Sequence, residues 1–438
     1  MRVSSGMIFD AGVASINRQT ASLLHLQQQV ASNRRILAPS DDPVAAARAL
    51  EVTQASDVAA QFKQNQNYAN SALGLEEVHL GSAGDILARV RELAVQAGNT
   101  SLAASDRKAI ASELRARFEE VLGVANATDG TGNHIFAGFM SAATPFGGTV
   151  ESILSGGEIG YAGDDGQRKL QLSPTRFLEV SDSGSEVFKR VRNGNGYFAT
   201  GYAAGNTGTG VVDSGNITDP AKWNALVARN FSINFSVDNA AVPPVTYYDI
   251  VDTASGNSKL TGFAPVLPPT AATGQRVYQS GQPIILKNQG IEPAFDFGGS
   301  VLITGAPADN DGFSIAPSSS QSVFATLAHL IGALEAPGGT PAANAKLGSE
   351  IGFALTNLDQ STDNILRVRA QVGSRMNEIE SLGKLNEDLD LQYQQTLSDL
   401  QDLDYARAIS DLTRKQTDLQ AAQQSFVKIS QLSLFNYL

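Results

Sequence analysis

The sequence predicts a mostly α-helical protein with a β-rich insertion, in which long N- and C-terminal helices pair as a rod or coiled-coil bundle. Three observations carry this. Apolar residues recur at steps of three and four along both ends of the 438-residue chain. No proline occurs from residue 342 to the end, so nothing in that stretch forces a helix to stop. Between residues 143 and 317 the composition shifts to Gly, Asn, Thr and Pro with short β-prone runs.

The C-terminal stripe runs through Ile351, Leu355, Leu358, Thr362, Ile365, Val368, Val372, Met376, Ile379 and Leu382. It continues through Leu385, Leu389, Tyr393, Thr396, Leu400 and Leu403. After an Asp-rich break at Asp402–Asp404, a second run places Leu412, Leu419, Ala422, Phe426 and Ile429 on one face. A helix this long with so narrow a stripe builds no compact core alone. It needs partner helices, and the N-terminal third supplies candidates.

At the N-terminus Phe9, Ile16, Leu23 and Val30 repeat in a heptad, flanked by Val13 and Leu26. This stripe is thin, and a lone helix of such composition is marginal in water. Pro39 is expected to end that helix. Asp42 then reads as an N-cap and Pro43 as the first helical position of the next. Asp41 and Asp42 complement the helix dipole there without any ion. The second stripe runs through Phe62, Gln66, Ala69, Leu73, Glu76, Leu80, Ala83, Leu87, Val90 and Ala94, and Gly98-Asn99-Thr100 closes it. Ser105 or Asp106 is expected to cap a third helix carrying Ile110, Leu114, Phe118, Val121 and Ala125. Thr128–Asn133 reads as a turn cluster and His134–Gly138 as a short strand.

Eight β-prone runs occupy the insertion: Lys169–Leu172, Phe177–Val180, Phe231–Val237, Val245–Val251, Arg276–Gln279, Ile284–Leu286, Val301–Thr304 and Phe313–Ile315. Turn residues such as Gly163–Gly166 separate several of them, and a short helix is expected near Pro220–Val227. Helical spacing returns over Ser318–Glu335, and Pro337–Pro341 links to the long helix. The expected domains are therefore discontinuous. Residues 1–44 and 404–438 form the terminal helices with their connecting segments, 45–142 and 318–403 a helical bundle, and 143–317 the β-rich insertion. More than one domain also follows from length, since single cores stop growing near ~250–300 residues.

Composition narrows the chemistry. A net charge of −12 with pI near 4.9 argues against nucleic acid or an anionic membrane as main partner. Cysteine is absent, which removes disulfides, thiolate catalysis and Cys-based metal sites together. No signal peptide is evident in the first thirty residues, and no window approaches the ~18 uninterrupted apolar residues of a membrane span. The histidines, His25, His79, His134 and His329, lie far apart. Leu154-Ser-Gly-Gly-Glu158 resembles a transport-ATPase signature loop, but no P-loop lysine accompanies it. No carboxylate pair stands out from the solvated background. The residues therefore point to no catalytic, cofactor or metal site.

Several segments resemble the bacterial flagellin family. Arg89, Arg91 and Glu92 stand in Arg89-Val-Arg-Glu-Leu-Ala-Val-Gln-Ala97. Pro39-Ser40-Asp41-Asp42-Pro43 follows Arg35-Ile36, and Asp404-Tyr405-Ala406 precedes the last helix. Gly132–Gly138, Asp311–Ile315 and the closing Ser430–Leu438 look like the family's hook-associated junction branch. The resemblance covers about residues 1–140 and 320–438. It implies a non-catalytic structural protein of the flagellum, exported unfolded by the flagellar type III apparatus without a cleaved signal and destined for the exterior. It also implies partners: further copies of itself in a ring, the other hook-associated junction protein, flagellin, and a cytoplasmic export chaperone of the C-terminal helix. Nucleic acid, membrane insertion and cofactors are not implied.

Terminal segments whose apolar face exceeds what one chain can cover are expected to stay loosely ordered in the free subunit, over about residues 1–36 and 408–438, and to fold against neighbours. Phe9, Ile16, Leu23, Val30, Leu412, Leu419, Phe426 and Ile429 are the expected assembly residues. Filament flagellin is the nearest rival reading. A surface-exposed adhesin using the insertion to bind carbohydrate is a rival of another class.

Overall fold

A computed structural model of the chain describes residues 5–99, 101–265 and 274–431. The helices are α1 (Ser5–Ser32), α2 (Pro43–Ala97), α3 (Ala104–Ala125), α4 (Val150–Leu154), α5 (Pro220–Asn224), α6 (Val323–Glu335), α7 (Pro341–Gln401) and α8 (Tyr405–Gln431). The strands are β1 (Phe146–Gly147), β2 (Gly160–Tyr161), β3 (Lys169–Ser173), β4 (Arg176–Glu179), β5 (Val191–Arg192), β6 (Phe198–Tyr202), β7 (Val211–Val212), β8 (Asn216–Ile217), β9 (Phe231–Asp238) and β10 (Val245–Asp252). They continue with β11 (Arg276–Val277), β12 (Pro283–Lys287), β13 (Asp296–Thr304), β14 (Gly312–Pro317) and β15 (Ser320–Gln321). The architecture is mostly helical, with long terminal helices and a central β-rich region, as the stripes predict. The chain forms two compact units: residues 1–67, 171–176 and 379–438, and residues 68–170 and 177–378.

In the first unit α1 pairs with α8, and the opening of α2 pairs antiparallel with the close of α7. Asn386 Nδ2 donates to the Ala59 carbonyl at 2.8 Å, and Lys63 meets Glu387 at 3.3 Å. The tip of the β3–β4 hairpin joins them, its Leu172 carbonyl accepting from Gln66 Nε2 at 3.0 Å. Helix α2 starts as the sequence predicts: Asp42 Oδ1 accepts the Ala45 N–H at 3.0 Å with Pro43 in the first turn.

In the second unit the stripe of α2 is buried from Ala69 to Ala94, and Leu358, Ile365, Val368 and Val372 of α7 are buried too. Arg369 to Glu77 and Arg91 to Asp359 tie the two helices at 2.6 and 2.7 Å. Helices α3 and α6 pack through Phe118 and Phe324, ring centroids 5.6 Å apart. Ile110, Leu114, Val121, Leu327, Leu330, Ile331 and Leu334 complete that layer. The β region holds a five-stranded antiparallel sheet, β11-β10-β9-β14-β6, and a second sheet with β12-β13-β7 plus β8 against β13. Their shared core is aromatic: Trp223, Phe198, Phe231, Phe235, Phe297 and Phe313 are all but inaccessible. Six of the eight predicted β-prone runs lie wholly on strands, while β4 stops one residue short of Val180 and β11 covers only Arg276–Val277 of the run to Gln279.

Five details differ from expectation. Helix α1 ends at Ser32, well before Pro39, because Asn33 turns the chain with a left-handed φ of 53°. Residues 134–138 form no strand; after one bridge between Thr128 and His134 they run as buried turns. Ala103 occupies the N-cap of α3, and Asp106 instead accepts the Ala103 N–H at 3.1 Å from the third position. Leu385, on the α7 stripe, is 57% exposed. A carboxylate pair does stand out, since Glu76 and Asp182 are both buried.

Candidate assembly surface on the terminal helices

The sequence gives α1 and α8 one apolar stripe each, and the structure lays the two stripes against each other. Contacts at three levels fix an antiparallel register. The Phe9 and Phe426 rings are 5.1 Å apart, Lys415 Nζ donates to Ser22 Oγ, and the Leu403 N–H reaches the Asn33 carbonyl at 3.4 Å. This register sets Ile16 opposite Leu419 and Leu23 opposite Leu412. None of these apolar residues is fully covered: Ile16, Leu23, Val30, Leu412, Leu419 and Phe426 are half-buried, and Phe9 is 51% exposed. The side chain of Ile429 lies outside the described residues. Gly12 was not legible as a participant, yet a Cβ there would sit 2.7 Å from Phe426 Cδ2. Only a bare glycine lets that ring rest on the α1 backbone.

Both helical runs break at one level. Arg34 bridges to Asp402, the Arg35 N–H donates to the Gln401 carbonyl at 2.7 Å, and Arg35 Nη2 donates to the Leu400 carbonyl at 2.8 Å. The last carbonyls of α7, which have no intrahelical partner, are thus capped by a guanidinium and a backbone amide. Asp404 caps α8, its Oδ1 accepting the Arg407 N–H at 3.1 Å, and Tyr405 beside it is 52% exposed.

The segment containing Pro39, Ser40, Asp41, Asp42 and Pro43 closes the same joint. Asp41 accepts the Leu37 and Ala38 N–H groups at 2.9 and 3.0 Å, and these backbone bonds hold its carboxyl below the usual range. His25 of α1 lies 3.2 Å from Asp41, and Arg35 reaches Asp42 at 3.3 Å. In the second unit, Arg89 clamps Glu92 and Glu113 at 2.9 and 2.8 Å, while Arg91 takes Asp359. Arg89 thereby ties α2 to α3, and Arg91 ties it to α7.

The first unit also carries an apolar groove of about 400 Å³, lined by Val58, Phe62, Pro174, Leu382, Leu389 and Tyr393 among others. Among the described residues no group of three or more His, Asp or Glu is placed to hold a metal ion. No described helix is long and apolar enough to cross a membrane.

The chain resembles known proteins along most of its length. The family model for the bacterial flagellin N-terminal helical region matches residues 3–141. The flagellar hook-associated protein 3 of Escherichia coli K12 is 24% identical over 440 residues, 99% of each chain. The crystal structure of flagellar hook-associated protein 3 from Legionella pneumophila is 30% identical, with a TM-score of 0.68 over 80% of this chain and 98% of that one. FlgL of Xanthomonas campestris, also solved, is 30% identical with a TM-score of 0.65, over 79% of this chain and 99% of that one. Long helical ends around an inserted β region, shared with these solved structures, mark the chain as a structural component of the flagellum. The chain belongs to the flagellar hook-associated protein 3 family.

Proposed function

We propose that this protein is a structural subunit of the junction between flagellar hook and filament, and that copies assemble into an adaptor ring through their terminal helices. The observation that carries the assembly reading is the α1–α8 seam, which is paired yet only half covered by its own chain. An apolar stripe left in this state is completed when a neighbour supplies the remaining surface. A head-to-tail contact of that kind closes into a ring or continues as an open helical tube. The name of a relative supports the junction in particular, since a structural neighbour from Legionella pneumophila is a flagellar junction protein.

The partners follow from the same reading: the other hook-associated junction protein on one side, flagellin on the other, and an export chaperone before secretion. The protein acts outside the cell, on the flagellum, and performs no catalysis. Electron microscopy of flagella carrying a label on this chain tests the proposal. A single band between hook and filament is expected, while label along the whole filament would make the chain a filament subunit.

A further inference from the structure

Glu76 stands on the core stripe of α2 between Leu73 and Leu80, and none of its surface is accessible. One carboxyl oxygen, Oε1, accepts the backbone N–H of Asp182 at 3.1 Å. The other, Oε2, has no hydrogen-bond partner. Asp182 is itself only 3% exposed. Its carboxylate accepts two bonds from Arg375 of α7, at 2.8 and 3.0 Å, and one from Gln167 Nε2 at 2.9 Å. Arg375 also faces Glu179 at 3.6 Å, and Glu179 meets Lys169 at 3.1 Å.

Among the ion pairs of this cluster, Asp182 and Glu179 offset Arg375 and Lys169 without Glu76. Its neighbours along α2 add no cation, for Glu77 is taken by Arg369 and the His79 ring is held toward its neutral form by burial. An ionised Glu76 would therefore be a buried negative charge with one oxygen unsatisfied, beside a second carboxylate. Such a group takes up a proton instead.

We propose that Glu76 is a buried proton-binding site, and that the neutral acid serves as a latch fastening residues 179–183, at the exit of the β3–β4 hairpin, to α2 and α7. Losing the proton sets two carboxylates against one guanidinium and loosens that segment. Burial first, and then the negative charge of Asp182, push the acid up to about 8 from its ordinary 4.5, with Arg375 acting in the opposite sense. The sign follows from proton counting. Between pH 4.5 and about 8 the folded chain keeps a proton that the unfolded chain has released, so stability falls as pH rises through this window and levels off above it. The folding equilibrium constant drops by up to about tenfold per pH unit there.

The test compares the full chain with Glu76→Gln, a neutral isostere, from pH 5 to 9.5 by thermal unfolding and amide exchange. Wild type is expected to lose midpoint temperature up to pH 8 and to lose protection at Asp182 above it. E76Q is expected to show a flatter profile and to be the more stable of the two at pH 9. Equal slopes in both proteins would overturn the latch. Should E76Q fail to fold, infrared spectra of wild type labelled with 13C-glutamate decide the matter. A protonated glutamic acid band at pH 7 that vanishes by pH 10 supports the proposal, and a band missing at pH 7 overturns it.

Discussion

The ring of Phe426 rests on the bare Cα of Gly12 and tilts against the ring of Phe9 at 5.1 Å. This contact joins the two ends of the chain, which are more than four hundred residues apart in sequence. Gly12→Val puts a branched side chain where the ring lies, and the ring must move. The variant is expected to open the seam, reduce assembly several-fold in sedimentation assays and speed tryptic cleavage at Arg18. Adding Phe426→Ala removes the clash, so the double variant should recover part of the resistance at Arg18.

The half-covered seam predicts an asymmetric response to mild proteolysis. Purified subunit should lose residues 1–36 and 408–438 while residues 45–400 survive. Gel and mass analysis of a timed digest checks this, and uniform resistance would count against completion of the seam by neighbours.

Trp223, the single tryptophan, is fully buried between the two sheets of the second unit. Its emission therefore reports on that core. Trimming the terminal helices should leave the emission maximum unchanged while far-ultraviolet ellipticity falls. Phe231→Ala, in contact with both Trp223 and Phe297, should cost about 3–5 kcal/mol in denaturant unfolding followed by the same fluorescence.

Asp42 caps α2, and the Ala45 N–H it accepts holds its carboxyl below the ordinary 3.8. A depressed acid contributes stability above that value and loses it as pH falls through the lower, folded-state value. Asp42→Asn should keep most of the cap and drop this acid dependence, whereas Asp42→Ala should fray the start of α2 at every pH. Circular dichroism melts between pH 2 and 7 distinguish the two.

The stripes made the helices legible because period and burial coincide: Ile110, Leu114, Phe118 and Val121 are apolar, regularly spaced and buried. The strands with bulky alternating residues were legible for the same reason. Strand β6, Phe198–Tyr202, was not, because its Ala-Thr-Gly interior becomes a strand only through pairing with β14. The end of α1 was not legible because Asn33, an ordinary polar residue in sequence, takes a left-handed conformation that tertiary pairing with Leu403 supports. Glu76 was visible as a stripe position, yet its partner lies in a loop 106 residues away. Periodicity cannot bring such a pair together. Gly12 likewise acquires its role only from a ring on the opposite end of the chain.

The joint at Asn33–Arg35 and Gln401–Leu403 has a mechanical corollary. Both polypeptide crossings between the terminal pair and the next helices sit side by side and are laced by backbone bonds, so a twist applied to α1 is delivered to α8 at the same height. Bending one crossing therefore strains the bonds that tie it to the other, and the two links hinge as one.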